Sequence, residues 1–487
     1  VKRFSEALGD LQPLLDHNPD DVEALYMAAV CRRYLGEFQV ALDLLKTLKS
    51  LAPDHGRAYQ EEGHNLRSLG HKEQALVAFS RACHFNPALE ASWRARVDIL
   101  GATGRQQQAE QASAELKQMQ DTPRPLIAVV DLIAQGRLLK AEDLCRKFLA
   151  KIPHHVEAMR LLADIGKRLG VLDDAEFLLQ SATRFEPENV QVRIDLVEVL
   201  RKRQRFEQAL AEARELLASS PEEPRFLSMV AIESMQTGDY QGAIGMCEQV
   251  LRRVPGDPVT LTSVGHAHKT QGNYSEAVEA YRSAIASHPH YGEAWYSLAN
   301  LKVYEFADAE IDAMRTDVAN QDLSHLDRVY LRFALGKAME DRGQYDNAFE
   351  HYALGNRLKR SQSRYSAEQM TQDLQAQQTV CSSTFFQDRP EVGHAADDPI
   401  FIVGLPRAGS TLLEQILSSH SQVDGTLELP NILSLSQQLR RRARQGDASP
   451  YPQILADLDA GELEQFGQQY IEDTRIHRQG APRFIDK

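Results

Sequence analysis

Small apolar residues recur along the first part of the chain at a fixed distance from one another. Alanines stand 34 residues apart, with one shortened unit of 32 residues, at Ala7, Ala41, Ala75, Ala109, Ala141, Ala175, Ala209, Ala243 and Ala277. Prolines keep the same register, at Pro19, Pro53, Pro87, Pro153, Pro187, Pro221, Pro255 and Pro289. A period of this length is typical of stacked helical repeats, so the pattern predicts an all-α array.

Glycines stand five residues before nearly all of these alanines, with Gln204 as the exception, at Gly36, Gly70, Gly104, Gly136, Gly170, Gly238 and Gly272. A glycine just past a helix can take the left-handed conformation that satisfies the last carbonyl groups. The alanine then lies early in a second helix, where its small side chain lets the two helices cross closely, and the proline ends that helix. Each unit therefore predicts two helices.

This pattern resembles the tetratricopeptide repeat over residues 1–357, as about nine or ten helix pairs. The phase breaks after Trp295 and returns with Gly343, Tyr345 and Ala348, which predicts one irregular unit between them. The resemblance implies a groove that binds a peptide or a partner protein. A spacer or a dimerisation arm is the alternative role.

A different pattern begins after a predicted helical linker at residues 358–397. Residues 400–403 form a short apolar run typical of a buried parallel strand, and a glycine-rich loop follows at 404–411. Leu412, Leu413, Ile416 and Leu417 then lie on one face at helical spacing. The order of strand, loop and helix predicts that residues 398–487 form part of a P-loop-like α/β domain with a parallel sheet.

Such a loop presents backbone N–H groups and a helix N-terminus to an anion. The spacing from Gly404 to Gly409 matches a P-loop, but Ser410 stands where a nucleotide triphosphatase needs lysine. A P-loop kinase is therefore disfavoured. The cation of this loop is an arginine, Arg407, rather than the P-loop lysine.

The stretch from Pro399 to Leu417 resembles the 5′-phosphosulfate loop of sulfotransferases that use 3′-phosphoadenosine 5′-phosphosulfate (PAPS), most closely the tyrosylprotein type. Repeat arrays fused to this domain recur in bacterial proteins. The resemblance implies PAPS as donor, its desulfated form PAP as product, no metal, and a protein tyrosine as acceptor, with a glycan second. It assigns donor binding to Pro406, Arg407, Ala408, Gly409, Ser410 and Thr411.

Two later residues complete the resemblance. Glu428 follows Gly425 as the family's general base does, although one position later than in the tyrosylprotein pattern, and a helix-start carboxylate is the alternative. Lys487 ends a second predicted strand, where the family's lysine stabilises charge on the leaving phosphate, and a surface lysine is the alternative. In the family, the residues that grip the 3′-phosphate of PAPS come after the position of Lys487. We therefore expect these 487 residues alone to bind PAPS poorly and to turn over little.

Charge and cysteine content narrow the classes of partner and compartment. A net charge of −14 argues against nucleic acid as a partner. The cluster of Arg440, Arg441, Arg442 and Arg444 either attracts an acidic acceptor or forms a solvated helix face. Five scattered cysteines indicate neither a disulfide framework nor a zinc site and favour the cytoplasm. No apolar run is long enough to span a membrane.

Two classes of function remain open from the sequence. One is a PAPS-dependent sulfotransferase whose repeats bind the acceptor or a partner. The other is a repeat scaffold for protein interaction whose nucleotide fold is not catalytic.

Overall fold

The computed structural model describes residues 2–301, 303–320, 323–363, 365–426, 428–429, 431–440 and 451–487. These residues divide into two compact units, Val1–Glu188 and Asn189–Lys487. The first unit consists of helices α1 Lys2–His17, α2 Val22–Tyr34, α3 Phe38–Leu51, α4 Gly56–Ser68, α5 Lys72–Phe85, α6 Glu90–Ala102, α7 Gln106–Asp121, α8 Arg124–Ala134, α9 Leu138–Leu149, α10 Val156–Leu169 and α11 Leu172–Phe185.

The second unit continues with further helices and ends in a small α/β region. Its helices before that region are α12 Val190–Lys202, α13 Phe206–Ser219, α14 Pro224–Gln236, α15 Tyr240–Arg253, α16 Pro258–Thr270, α17 Tyr274–Ser287, α18 Gly292–Ala299, α19 Asp308–Ala319, α20 His325–Asp341, α21 Tyr345–Ser361, α22 Ala367–Val380 and α23 Ser383–Gln387. The α/β region comprises β1 Pro399–Phe401, α24 Ser410–Ser418, β2 Val423–Asp424, α25 Asn431–Arg440, α26 Ile454–Asp457, α27 Ala460–Asp473, a 3₁₀ turn at Thr474–His477 and β3 Arg483–Asp486.

The helices from α2 to α17 form successive pairs, as the repeat pattern predicts, and the predicted α-solenoid is confirmed. The periodic alanines from Ala41 to Ala277 are all buried. The glycine between the helices of a pair has a positive φ, for example 82° at Gly36 and 80° at Gly272. Gln204 takes the same left-handed conformation, with φ of 58°, so the turn is kept where the glycine is missing.

The phase break also appears in the structure. Helix α18 ends after only eight residues, α19 begins at Asp308, and α18 packs against α20. The buried Trp295 side chain anchors this region, since its indole N–H donates to the carbonyl oxygen of Pro289 at 3.0 Å. One irregular unit therefore separates the regular pairs from α20 and α21.

Glycine inside a helix lets an aromatic ring of the next helix pack against its backbone. Gly63 faces Phe79, Gly265 faces Tyr281 and Gly336 faces Tyr352, and a Cβ atom added at any of the three would overlap the ring. Tyr281 is fully buried and its hydroxyl lies 2.9 Å from Nδ1 of His266, so this ring cannot move away.

We expect Gly265→Ala to destabilise the array by about 1–3 kcal/mol, since the added methyl group overpacks a rigid contact. Gly245 lies in the middle of α15, and a Cβ atom added there would meet no other atom within 4 Å. Gly245→Ala is therefore the matched control and should stabilise the array by up to about 1 kcal/mol through helix propensity. Native-state hydrogen exchange of the α15–α17 amides measures both changes. If both variants changed the stability of the array in the same direction, the contact between Gly265 and the Tyr281 ring would not control stability.

The α/β region contains a three-stranded parallel sheet in the order β1-β3-β2. Phe484 and Ile485 of the central strand are buried, and Phe484 packs with Leu429, Tyr470 and Ile471. The predicted parallel sheet is thus confirmed.

The predicted burial of the first strand is wrong. Phe401 is 52% exposed and Val403 is 90% exposed, and on α24 Leu412 and Ile416 are 67% and 58% exposed. In the described part of the chain, the apolar cluster of this region gathers around Phe484 of the central strand β3, so these side chains of the β1 segment and α24 stay open to solvent. Among the described residues, no helix is both long and apolar enough to cross a membrane.

Candidate functional site

The loop at 402–409 leaves the sheet at β1 and enters α24. The N–H of Ile402 donates to the carbonyl oxygen of Asp486 at 2.8 Å, so the first residue of the loop is still hydrogen-bonded to the central strand β3. Arg407 and Gly409 both have left-handed backbone, with φ of 68° and 90°. Gly409 is also the N-cap of α24 and has no side chain to cap the helix. The first turn of α24 therefore offers backbone N–H donors to a ligand.

The side chains of this loop are open to solvent. Leu405, Pro406, Arg407, Ala408 and Gly409 are exposed, as is Thr411, and Ser410 is half-buried. Within the described residues, no hydrogen bond or ion pair engages the Arg407 guanidinium. A cation and several donors are thus available on one short segment.

The end of β3 brings Lys487 to this segment. The Lys487 ammonium lies 3.3 Å from the hydroxyl of Thr411 and 2.6 Å from a carboxylate oxygen of Glu414. The side chains of Lys487 and Glu414 are only 14% and 9% exposed. Two of the predicted site residues, Lys487 and Thr411, are therefore in contact although they are far apart in the sequence.

Glu428 is placed differently. Its carboxylate is exposed, and no described contact joins it to Lys487 or to the loop. The next residue, Leu429, donates its backbone N–H to the Asp486 carboxylate at 3.4 Å. The structure therefore ties the Glu428 segment to the residue before Lys487 without bringing the two candidate catalytic side chains together.

Buried carboxylates that the sequence analysis missed hold this region together. Asp486 accepts a hydrogen bond from the Tyr470 hydroxyl at 2.7 Å, and burial, followed by this contact, raises the pKa of Tyr470. Asp424 accepts from the backbone N–H groups of residues 479, 480 and 481 at 2.7, 2.9 and 3.0 Å. No local sequence signal identifies these pairs, because the partners of each lie 16 to 57 residues apart.

Arg478 contacts both β3 and the residue before β1. Its guanidinium donates to Asp398 at 2.9 Å and lies 3.7 Å from the ring centre of Phe484. Of the predicted arginine cluster, Arg440 lies 3.9 Å from Asp373, whereas Arg441, Arg442 and Arg444 are outside the described residues. Among the described residues, no group of His, Cys, Asp and Glu side chains is arranged to hold a metal ion.

Relatives in sequence match this chain over part of their own length. An uncharacterized protein of Aquifex aeolicus is 24% identical over 370 residues, which cover 73% of this chain and 48% of that protein. The BBSome complex member BBS4 of Bos taurus is 22% identical over 331 residues, which cover 66% of this chain and 63% of that protein. The chain thus spans about half to two thirds of the length of these two relatives.

Among solved structures, a tetratricopeptide repeat protein from Parabacteroides merdae is 17% identical with a TM-score of 0.38, covering 51% of this chain and 95% of its own. MamA from Desulfovibrio magneticus is 12% identical with a TM-score of 0.32, covering 34% and 92%. Profiles of the tetratricopeptide repeat match residues 2–56, 168–232 and 265–301, and the profile of the sulfotransferase family matches residues 399–487. These profile matches identify tetratricopeptide repeats in the chain and a sulfotransferase-family domain at residues 399–487.

Proposed function

We propose that this protein is a PAPS-dependent sulfotransferase that transfers a sulfuryl group to an acceptor hydroxyl. The observation that carries the proposal is the contact between Lys487 and the first turn of α24. It joins a cation to the uncapped helix end and to the loop that bears Arg407. These groups suit a phosphosulfate, since all of them donate hydrogen bonds or carry positive charge.

Each of these residues has a role in the proposal. Arg407, Gly409, Ser410 and Thr411 hold the 5′-phosphosulfate, with Pro406 and Ala408 shaping the loop between them. When bound, PAPS supplies the activated sulfuryl group. Lys487 stabilises negative charge beside the loop by electrostatic interaction.

Glu428 receives the proton of the acceptor hydroxyl, as a general base must. Its exposed carboxylate can be reached by an acceptor from solvent. The backbone N–H of Leu429, the residue after Glu428, donates to the Asp486 carboxylate, which holds this segment beside the end of β3. A tyrosine in a protein is the first acceptor to test, and a glycan the second.

The repeats present the acceptor or a partner protein in this proposal. The first unit contains a pocket of about 710 Å³ whose walls combine apolar side chains, such as Trp93 and Ile127, with charged ones, such as Glu115, Arg160 and Asp164. Concave pockets of this volume are the usual places where proteins bind ligands. The related BBS4 is by its name a member of a complex, which supports an interaction role for the repeats.

A cytoplasmic location is part of the same proposal. All five cysteines are free, and four of them are buried. Burial raises the pKa of the Cys83 and Cys247 thiols to about 11, so these thiols stay protonated at neutral pH. Free thiols of this kind fit a reducing compartment.

The proposal is tested by incubating the full-length protein with ³⁵S-labelled PAPS and either tyrosine peptides with acidic flanks or sulfatable glycans. We expect ³⁵S on one acceptor class and binding of PAP in calorimetry. In a parallel reaction with magnesium and ATP labelled with ³²P in the γ-phosphate, we expect no transfer of ³²P. Absence of both PAP binding and transfer would leave the repeat scaffold with a non-catalytic nucleotide fold. The exposed Glu428 carboxylate, with no described contact to Lys487, is the observation that favours that second candidate.

A further inference from the structure

Glu414 is buried on a helix most of whose apolar residues are exposed. Only 7% of Glu414 is exposed, against 67% of Leu412, 45% of Leu413 and 58% of Ile416. This is the reverse of the usual order, since glutamate is almost never fully buried unless it is paired. A buried Glu414 carboxylate therefore needs a group of opposite charge beside it.

That partner is the ammonium group of Lys487. The Glu414 carboxylate lies 2.6 Å from the Lys487 nitrogen, and the Thr411 hydroxyl accepts from the same nitrogen at 3.3 Å. An ammonium group has three N–H donors. Two are directed at Glu414 and Thr411, so one is left to meet a ligand at the first turn of α24.

The packing around Glu414 leaves it little freedom. A Cβ atom added at Gly425 would stand 2.9 Å from the Cβ of Ser418 and 3.8 Å from a Glu414 carboxylate oxygen. The absence of a side chain at Gly425 thus lets α24 approach the segment after β2, with the Glu414 carboxylate beside that segment and in contact with Lys487. Lysine has a long flexible side chain, so a fixed acceptor is needed to hold its charge in one place.

We propose that Glu414 is the positioning residue for Lys487. Its carboxylate fixes the Lys487 ammonium against the phosphosulfate loop, and it touches neither donor nor acceptor. This inference rests on the proposed function, because it assigns a role within that reaction. Glu414 acts through Lys487 and so affects the rate of transfer more than the binding of PAPS.

The kinetic test compares Glu414→Gln with Glu464→Gln in the full-length protein. Glu464 is an exposed glutamate on α27, so its variant is the matched control. We expect Glu414→Gln to lower kcat for sulfuryl transfer about tenfold or more, to leave the KM for PAPS within about threefold, and Glu464→Gln to behave as wild type. Glu414→Asp, which keeps the charge, should recover part of the rate and guards against a folding defect of the first variant.

A double-mutant cycle asks whether Glu414 acts through Lys487. In a Lys487→Gln background, Glu414→Gln should cause no further loss of kcat, since the group that it positions is gone. Additive losses would overturn the positioning role, because they would mean that Glu414 acts on its own.

A second readout needs no activity. Limited acetylation followed by mass spectrometry measures how accessible each lysine is. Lys487, 14% exposed, should react slowly compared with Lys147, which is 69% exposed, and Glu414→Gln should speed the labelling of Lys487 alone by about threefold or more. Unchanged labelling of Lys487 would overturn the inference. If wild-type protein transfers no sulfuryl group while Lys487 labelling still depends on Glu414, the pairing stands and it is the proposed reaction that fails.

Discussion

Replacing Lys487 with alanine is expected to lower the rate of sulfuryl transfer about 100- to 1000-fold. This is the range seen when one preorganised electrostatic group is removed from a site where charge develops. The structure supports a preorganised role, since the ammonium is held between Glu414 and Thr411 and is 14% exposed. Transfer of ³⁵S from PAPS under saturating donor, in the full-length protein, measures the change in kcat.

The matched control for this variant is Lys147→Ala. Lys147 is 69% exposed and lies on α9 in an i,i+4 pair with Asp143, so its loss should leave transfer unchanged. PAP binding by calorimetry accompanies both measurements. A Lys487→Ala protein that turns over within about threefold of wild type would show that this lysine does not stabilise the developing charge.

Phe484→Ala is expected to have the largest effect on stability, about 3–5 kcal/mol, because a fully buried phenylalanine leaves a cavity that its surroundings fill poorly. Phe484 is 0% exposed, lies on the central strand, and supports the guanidinium of Arg478 at 3.7 Å. Its loss should open β3 and with it the contact of Lys487 to α24.

Hydrogen exchange read by mass spectrometry locates this effect. The amides of Phe484 and Ile402, which bond across β1 and β3, should lose protection, whereas those of α16 in the repeats should keep theirs. Phe386→Ala is the control, since that ring is 61% exposed and its loss should cost less than about 1 kcal/mol. Equal protection of β3 in wild type and Phe484→Ala would contradict the expected dependence.

Local chemistry made the repeats predictable. The left-handed turn before each second helix follows from a glycine, and the one substitution, Gln204, keeps that conformation at φ of 58° because the helices on either side impose it. The order of strand, loop and helix around Gly409 could likewise be predicted from the sequence, because β1 and α24 lie within some twenty residues of each other. Burial was not, because the apolar run at Ile400–Val403 does not say which face of the sheet is covered.

The sequence by itself determined the period of the helical repeats and the loop with Arg407, Gly409 and Ser410, because each depends on residues close together in the chain. Only the tertiary structure decided that Lys487 meets Thr411 and Glu414, that Asp486 receives bonds from Tyr470 and Leu429, and that Glu428 stays exposed. The physical reason is the strand order: β3 enters between β1 and β2, and a parallel pairing over such a separation is set by packing across the whole domain rather than by any local pattern.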